Sequence, residues 1–205
     1  MALTLVQPEK SEQSRKPPTR KANRETRARE YLTSDEAKRL REAAAKVGRY
    51  GFRDSLLIEV IYRHGLRVSE ACALTWDQFH FEDGTMHVTR VKNGTPSTHF
   101  LEGDEMRRLR RLKRESPASR FVFSSERGST LTTRAVHKII ARAGEVAELE
   151  FPVHPHMLRH ARGYQLAGRG VDTRAIQAYL GHRDIKSTVV YTALSPERFK
   201  GFGKD

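Results

Sequence analysis

Two separated stretches of the chain concentrate residue types suited to phosphate chemistry. His64-Gly65-Leu66-Arg67-Val68-Ser69-Glu70 lies in the first half. The second half holds His154-Pro-His156-Met-Leu-Arg159-His160, then Leu180-Gly181-His182, then Tyr191 nine residues beyond that histidine. An arginine presents a planar fork of donors that matches two phosphate oxygens and stays charged near neutrality. Imidazoles can donate or accept, and a phenol can act as a nucleophile. Glu70, three residues after Arg67 on a helix, can reach back to orient that arginine or a neighbouring histidine. His154, His156 and His160 also raise the question of a metal, because histidines four apart share a helix face. Pro155 between two of them, the lack of a glutamate in the motif and the arginine inside it argue against that, and no metal site is assigned.

These side chains need elements to hold them. Thr33-Ser-Asp-Glu36 is a capping-box pattern with Leu32 and Ala37 placed as a hydrophobic staple, and the stripe Leu40, Ala44, Val47 predicts a helix ending at Gly48. A second helix, about Arg53–His64, is apolar nearly all round and should form the buried spine, with Gly65 as its stop and a short helix, about Val68–Leu74, following at once. The period then changes. Thr85–Val91 and Ser97–Leu101 are β-rich runs around Lys92-Asn93-Gly94, a hairpin signal. Helical patterning returns at about Asp104–Glu115, Thr133–Ala143, Pro155–Leu166, Thr173–Leu180 and Ile185–Tyr191, with Phe121–Phe123 as a short buried strand or extended link. The expected fold is mainly α (α+β), a helical bundle with one small antiparallel β-sheet.

Composition narrows the partner. The 205 residues carry 38 Lys and Arg against 25 Asp and Glu, a net charge of +13, which points to a polyanion and to nucleic acid first. No uncharged apolar run approaches the ~18 residues of a membrane span; the richest, Leu56–Tyr62, is interrupted by Glu59. Met1–Gln7 lacks the charged start of a secretory signal. The single cysteine, Cys72, excludes an intramolecular disulfide and a cysteine zinc site and suits a reducing compartment. A soluble, basic protein of the cytoplasm is expected. Residues 1–30 read as a disordered basic arm, with Lys10, Arg15, Lys16, Arg20, Lys21 and Arg24 as weak candidates for phosphate contacts, and residues 31–205 as the folded domain.

Taken in order, the Gly-x-Arg-x-x-Glu segment, a hairpin lysine, His-x-x-Arg, Gly-His and the following tyrosine resemble the tyrosine recombinase (phage-integrase-like) family of DNA strand-exchange enzymes, over roughly residues 32–195. The resemblance implies a metal-independent cut of a phosphodiester, with no cofactor. Tyr191 would attack phosphorus and form a 3′-phosphotyrosine; Arg67 and Arg159 would neutralise the non-bridging oxygens where charge builds up. Lys92 would be the general acid for the leaving 5′ oxygen, His156 and His182 would hydrogen-bond the phosphate and the nucleophile region, and Glu70 and His160 would support them. The partners implied are double-stranded DNA with paired recombination sites, a homotetramer on that DNA and DNA-bending accessory proteins.

The chain resembles most the compact recombinases that invert fimbrial promoter switches, in the flanks of His154–Arg159, in Gly170–His182 and in Tyr191-Thr192-Ala193. The N-terminal clamp domain of most members is expected to be absent, its place taken in part by the basic arm. Phe199 and Phe202 fit either docking on a neighbouring protomer or folding back on their own domain. Inversion, integration, excision and resolution share this chemistry and stay open. So do two alternatives: a type IB topoisomerase-like relaxing enzyme, and a non-catalytic DNA-binding regulator, for which Arg53–Leu74 would serve as helix-turn-helix.

Overall fold

The computed structural model describes residues 29–90, 94–116 and 118–193. Lys92, the arm residues Lys10, Arg15, Lys16, Arg20, Lys21 and Arg24, and Phe199 and Phe202 lie outside the described residues.

Eight α-helices and a three-stranded sheet make up the described chain. They run α1 Ser34–Lys46, α2 Gly51–His64, α3 Val68–Ala73, β1 Phe79–His80, β2 Thr85–Val88, β3 Ser97–Phe100, α4 Gly103–Glu115, α5 Thr133–Val146, α6 Pro155–Gly168, α7 Thr173–Leu180 and α8 Lys186–Thr192. α1 starts on a formed capping box: Glu36 N–H donates to the Thr33 hydroxyl at 3.2 Å, and Thr33 N–H donates to the Glu36 carboxylate at 2.8 Å. α2 is the spine foreseen, with Leu56, Leu57, Ile58, Val60 and Ile61 all buried, and it packs most extensively on α1 and α6. It begins at Gly51 rather than Arg53.

The sheet is antiparallel in the order β1-β2-β3, with Phe79 opposite Met86 and Met86 opposite His99. Met86, Val88 and Arg90 face inward with the period of two, whereas Phe100 is exposed. Regular pairing ends at Val88 and Phe100, short of the runs expected to reach Val91 and Leu101. β1 was not foreseen, because two residues are too few to show alternation. Phe121–Phe123 is an extended link, bridged through Phe121 to Thr75. α5 continues to Val146, past the Ala143 end that its apolar stripe indicated.

One large core runs from Leu32 through the helices to Ala161, and a smaller cluster of Ala167, Ile176, Leu180 and Tyr191 lies where α6, α7 and α8 meet. Arg29 and Glu30, grouped with the arm by composition, pack on this body: Arg29 pairs with Glu36, and Glu30 approaches His154 at 3.3 Å. Among the described residues no helix is long and apolar enough to cross a membrane.

Candidate active site

Helix ends build the site. Gly65 closes α2 in the left-handed conformation (φ 58°), a geometry glycine adopts without strain, and a Cβ there would strike the Leu180 side chain. Two residues later Arg67 starts α3, and Glu70, at the third helical position, accepts the Arg67 backbone N–H at 2.9 Å. The same carboxylate accepts from the Arg67 guanidinium at 2.7 Å. The Gly-x-Arg-x-x-Glu spacing is therefore a helix stop followed by a helix start, and it aims a half-buried guanidinium by its own capping residue.

Arg159 arrives from the middle of α6 and is 1% exposed. It donates to the carbonyl of Gly65 and, at 2.7 Å, to that of Leu180, so it joins the C-terminal ends of α2 and α7. Carbonyls at helix C-termini lack intrahelical donors and carry the negative end of the dipole, which suits a cation. Gly181 closes α7 in the left-handed conformation (φ 66°) and delivers His182, whose Nδ1 lies 2.8 Å from the buried Thr188 hydroxyl of α8.

Tyr191 sits on α8 and is 2% exposed. Its hydroxyl lies 2.9 Å from His160 Nδ1. Tyr164 packs edge-on against its ring at 5.1 Å, and the His182 ring stacks at 6.1 Å. Burial pushes the phenol pKa up to about 12, opposed by Arg159 and Arg67. Burial and then Arg159 hold the His160 pKa down to about 4, so this imidazole is neutral and can accept a hydrogen bond from the phenol. His156, one turn earlier and exposed, meets His160 edge-on at 4.4 Å and stands further from the hydroxyl in the chain of contacts. His154 caps α6 and faces Glu30, so the three histidines of this motif turn to different partners.

Arg67, Glu70, Arg159, His160, His182 and Tyr191 thus lie in one connected group, with His156 at its edge. A further residue, Arg90, to which the sequence assigns no role, joins this group. It is buried and donates to Glu70 at 2.9 Å, and its signal was its place in the inward series Met86, Val88, Arg90. Three guanidiniums, Arg67, Arg90 and Arg159, surround the single Glu70 carboxylate at 2.7, 2.9 and 4.0 Å. The excess positive charge suits a phosphodiester.

Two expected outcomes follow from this packing. A Cβ on Gly163 would lie 2.7 Å from ring carbons of Tyr191, closer than carbon atoms tolerate. Gly163→Ala should therefore displace the phenol, cost about 1–3 kcal/mol of stability and slow DNA cleavage; thermal unfolding together with cleavage rates checks both. Stability should also fall in mild acid. Burial lowers the pKa of His99 to about 2, of His182 to about 3 and of His160 to about 4, against 6.5 for an ordinary histidine. Below about pH 6.5 the unfolded chain binds protons that these folded sites refuse, so stability present above that pH is lost as pH falls toward 4. Each histidine can contribute up to about 1.4 kcal/mol per pH unit, and calorimetry should show Tm falling from pH 7 to pH 5; a flat Tm contradicts this.

This constellation on a helical body with a small sheet is the arrangement expected of a tyrosine-type DNA strand-exchange enzyme. The chain belongs to the phage integrase family, whose description matches residues 30–198. It is a tyrosine-type site-specific recombinase, an enzyme that cleaves and rejoins DNA. It is 42% identical to the type 1 fimbriae regulatory protein FimE of Escherichia coli (strain K12), over 84% of this chain and 90% of that protein. FimB of the same strain is 37% identical over 86% of this chain and 90% of its own length. The crystal structure of XerA recombinase superposes with a TM-score of 0.73 at 26% identity, covering 85% of this chain and 65% of that one. The chain therefore spans about two thirds of that solved structure.

Proposed function

We propose that Tyr191 attacks a DNA phosphodiester and that the enzyme inverts a segment bounded by two copies of its site. The observation that carries this reading is the Tyr191 hydroxyl held on His160 within the electrostatic influence of Arg159 and Arg67. A bond forms from the phenol oxygen to phosphorus as the bond from phosphorus to the 5′ oxygen breaks. The bound phosphate's negative charge raises the basicity of His160, whose Nδ1 takes the phenol proton, and the departing oxygen takes a proton from Lys92 to leave as a 5′ hydroxyl. The 3′-phosphotyrosine conserves the bond energy, so a 5′ hydroxyl of the partner strand reverses the steps without ATP.

Arg67 and Arg159 stabilise the charge that grows on the non-bridging oxygens, His156 and His182 hydrogen-bond the phosphate, and Glu70 keeps Arg67 aimed. No metal or cofactor enters these steps. Residues 1–28 follow the DNA backbone through their basic side chains, which contributes salt-dependent affinity. Four copies act on two crossed duplexes through a four-way junction, with DNA-bending accessory proteins assisting. The likeness to FimE and FimB supports inversion over integration or excision.

The test is a plasmid carrying a marked segment between inverted copies of the site, incubated with purified protein and mapped by restriction digestion. Both orientations are expected without ATP. Relaxation of supercoils with no flipped segment would favour a topoisomerase-like enzyme, and tight binding with neither would favour a regulator.

A further inference from the structure

Arg90 is buried with no exposed side-chain surface, an expensive position for a charge unless its donors are met. One guanidinium nitrogen donates to Glu70 Oε2 at 2.9 Å. The other donates to the Tyr179 carbonyl at the end of α7, and lies 3.4 Å from His99 Nε2 and 3.5 Å from the Ser97 hydroxyl. Gly181 has to be a glycine for this reason too, since a Cβ there would lie 2.7 Å from Arg90 Nε.

The neighbours of Arg90 are themselves fixed in polarity. His99 Nδ1 meets His64 Nδ1 at 3.1 Å, and His64 Nε2 meets the Glu105 carboxylate at 3.0 Å. A carboxylate only accepts, so His64 donates through Nε2 and accepts through Nδ1. His99 then donates through Nδ1 and presents Nε2 as an acceptor, to the Ser97 hydroxyl at 2.9 Å and toward Arg90. A buried chain of hydrogen bonds thus runs from Glu105 on α4, across β3, to Glu70 beside the phosphate-binding arginines.

Glu70 is the point where this chain matters. Its Oε2 is 4.0 Å from the Arg159 guanidinium and 2.9 Å from that of Arg90. With Arg90 in place, the carboxylate is shared and drawn toward the sheet. Without it, the same negative charge turns toward Arg159 and offsets the charge that the phosphate needs.

We propose that Arg90 is a positioning residue for DNA cleavage, holding Glu70 so that Arg67 stays aimed and the carboxylate comes no closer to Arg159 than its 4.0 Å separation. This role rests on the proposed function of the site, and the test separates the two. The probes are two nicked duplexes carrying a site selected from random-sequence DNA, one with a natural scissile phosphate and one with a methylphosphonate there. The methyl group replaces a charged non-bridging oxygen, so the methylphosphonate makes less demand on guanidinium charge.

Arg90→Met should bind both duplexes like wild type and cleave the natural one about 10–100-fold more slowly, the scale typical of a residue acting through another. On the methylphosphonate its deficit relative to wild type should shrink to within about threefold. Arg90→Lys, which keeps the charge but cannot reach both Glu70 and the Tyr179 carbonyl, should show the same pattern and serves where the methionine variant does not fold. Equal deficits on the two substrates would reduce Arg90 to a packing role and overturn the proposal, as would wild-type rates on both. A wild-type protein that forms no covalent adduct on the natural duplex would instead overturn the reading of the site itself.

Discussion

Tyr191→Phe should abolish covalent attachment to DNA, slowing strand cleavage at least about 10⁴-fold, the scale on which loss of an essential nucleophile acts. The phenylalanine ring keeps the contacts with Tyr164 and His182 and the place in the small cluster with Ile176 and Leu180. Only the hydrogen bond to His160 disappears, a loss of about 0.5–1.5 kcal/mol. The variant should therefore fold and bind its site with wild-type affinity while leaving DNA uncut. Gel-shift affinity and denaturant-stable adduct, measured on the same nicked duplex, check the two halves. Cleavage by the variant would move the nucleophile elsewhere, and Tyr164, whose ring centroid is 5.1 Å from that of Tyr191, would be the next residue to test.

Arg159→Lys should be damaging in two separable ways. The guanidinium bridges the carbonyls of Gly65 and Leu180, and a lysine, a single donor centre on a flexible stem, cannot serve both with the same geometry. A buried carbonyl left without a donor costs about 1–3 kcal/mol, so Tm should drop. Burial already lowers the Arg159 pKa to about 10, which leaves it fully charged at neutral pH; a buried ammonium gives up its proton more readily. Cleavage at a temperature where the variant is folded should fall about 10²–10³-fold, as for loss of a preorganised oxyanion donor. Lower Tm with an unchanged single-turnover rate would confine Arg159 to joining α2 and α7.

Much of the scaffold could be read locally because its signals are local. The Thr33 to Glu36 capping box and the stops at Gly65 and Gly181 depend on a few adjacent residues and on a left-handed conformation that glycine tolerates. The link between Arg67 and Glu70 was equally legible, since three residues on a helix already bring them together. What escaped depends on distant chain. Arg90 received no role because its partners, Glu70 and the Tyr179 carbonyl, come from 20 and 89 residues away. The resemblance put His156 by the nucleophile and His160 in a supporting place; spacing on a shared helix face cannot separate them, and the packing of α8 against α6 brings the Tyr191 hydroxyl to His160. The buried pair His64 and His99 likewise needs the sheet to be brought against α2 before either histidine has a partner.

The most direct measurement is the identity of the residue that becomes attached to DNA. Wild-type protein would be trapped on a nicked duplex, digested with trypsin and nuclease, and the nucleotide-bearing peptide sequenced by mass spectrometry. The remnant should sit on Tyr191, joined through a 3′ phosphate. A remnant on Tyr164 or any other side chain, or a cut strand with no remnant at all, would contradict a mechanism in which the phenol at the end of α8 attacks phosphorus.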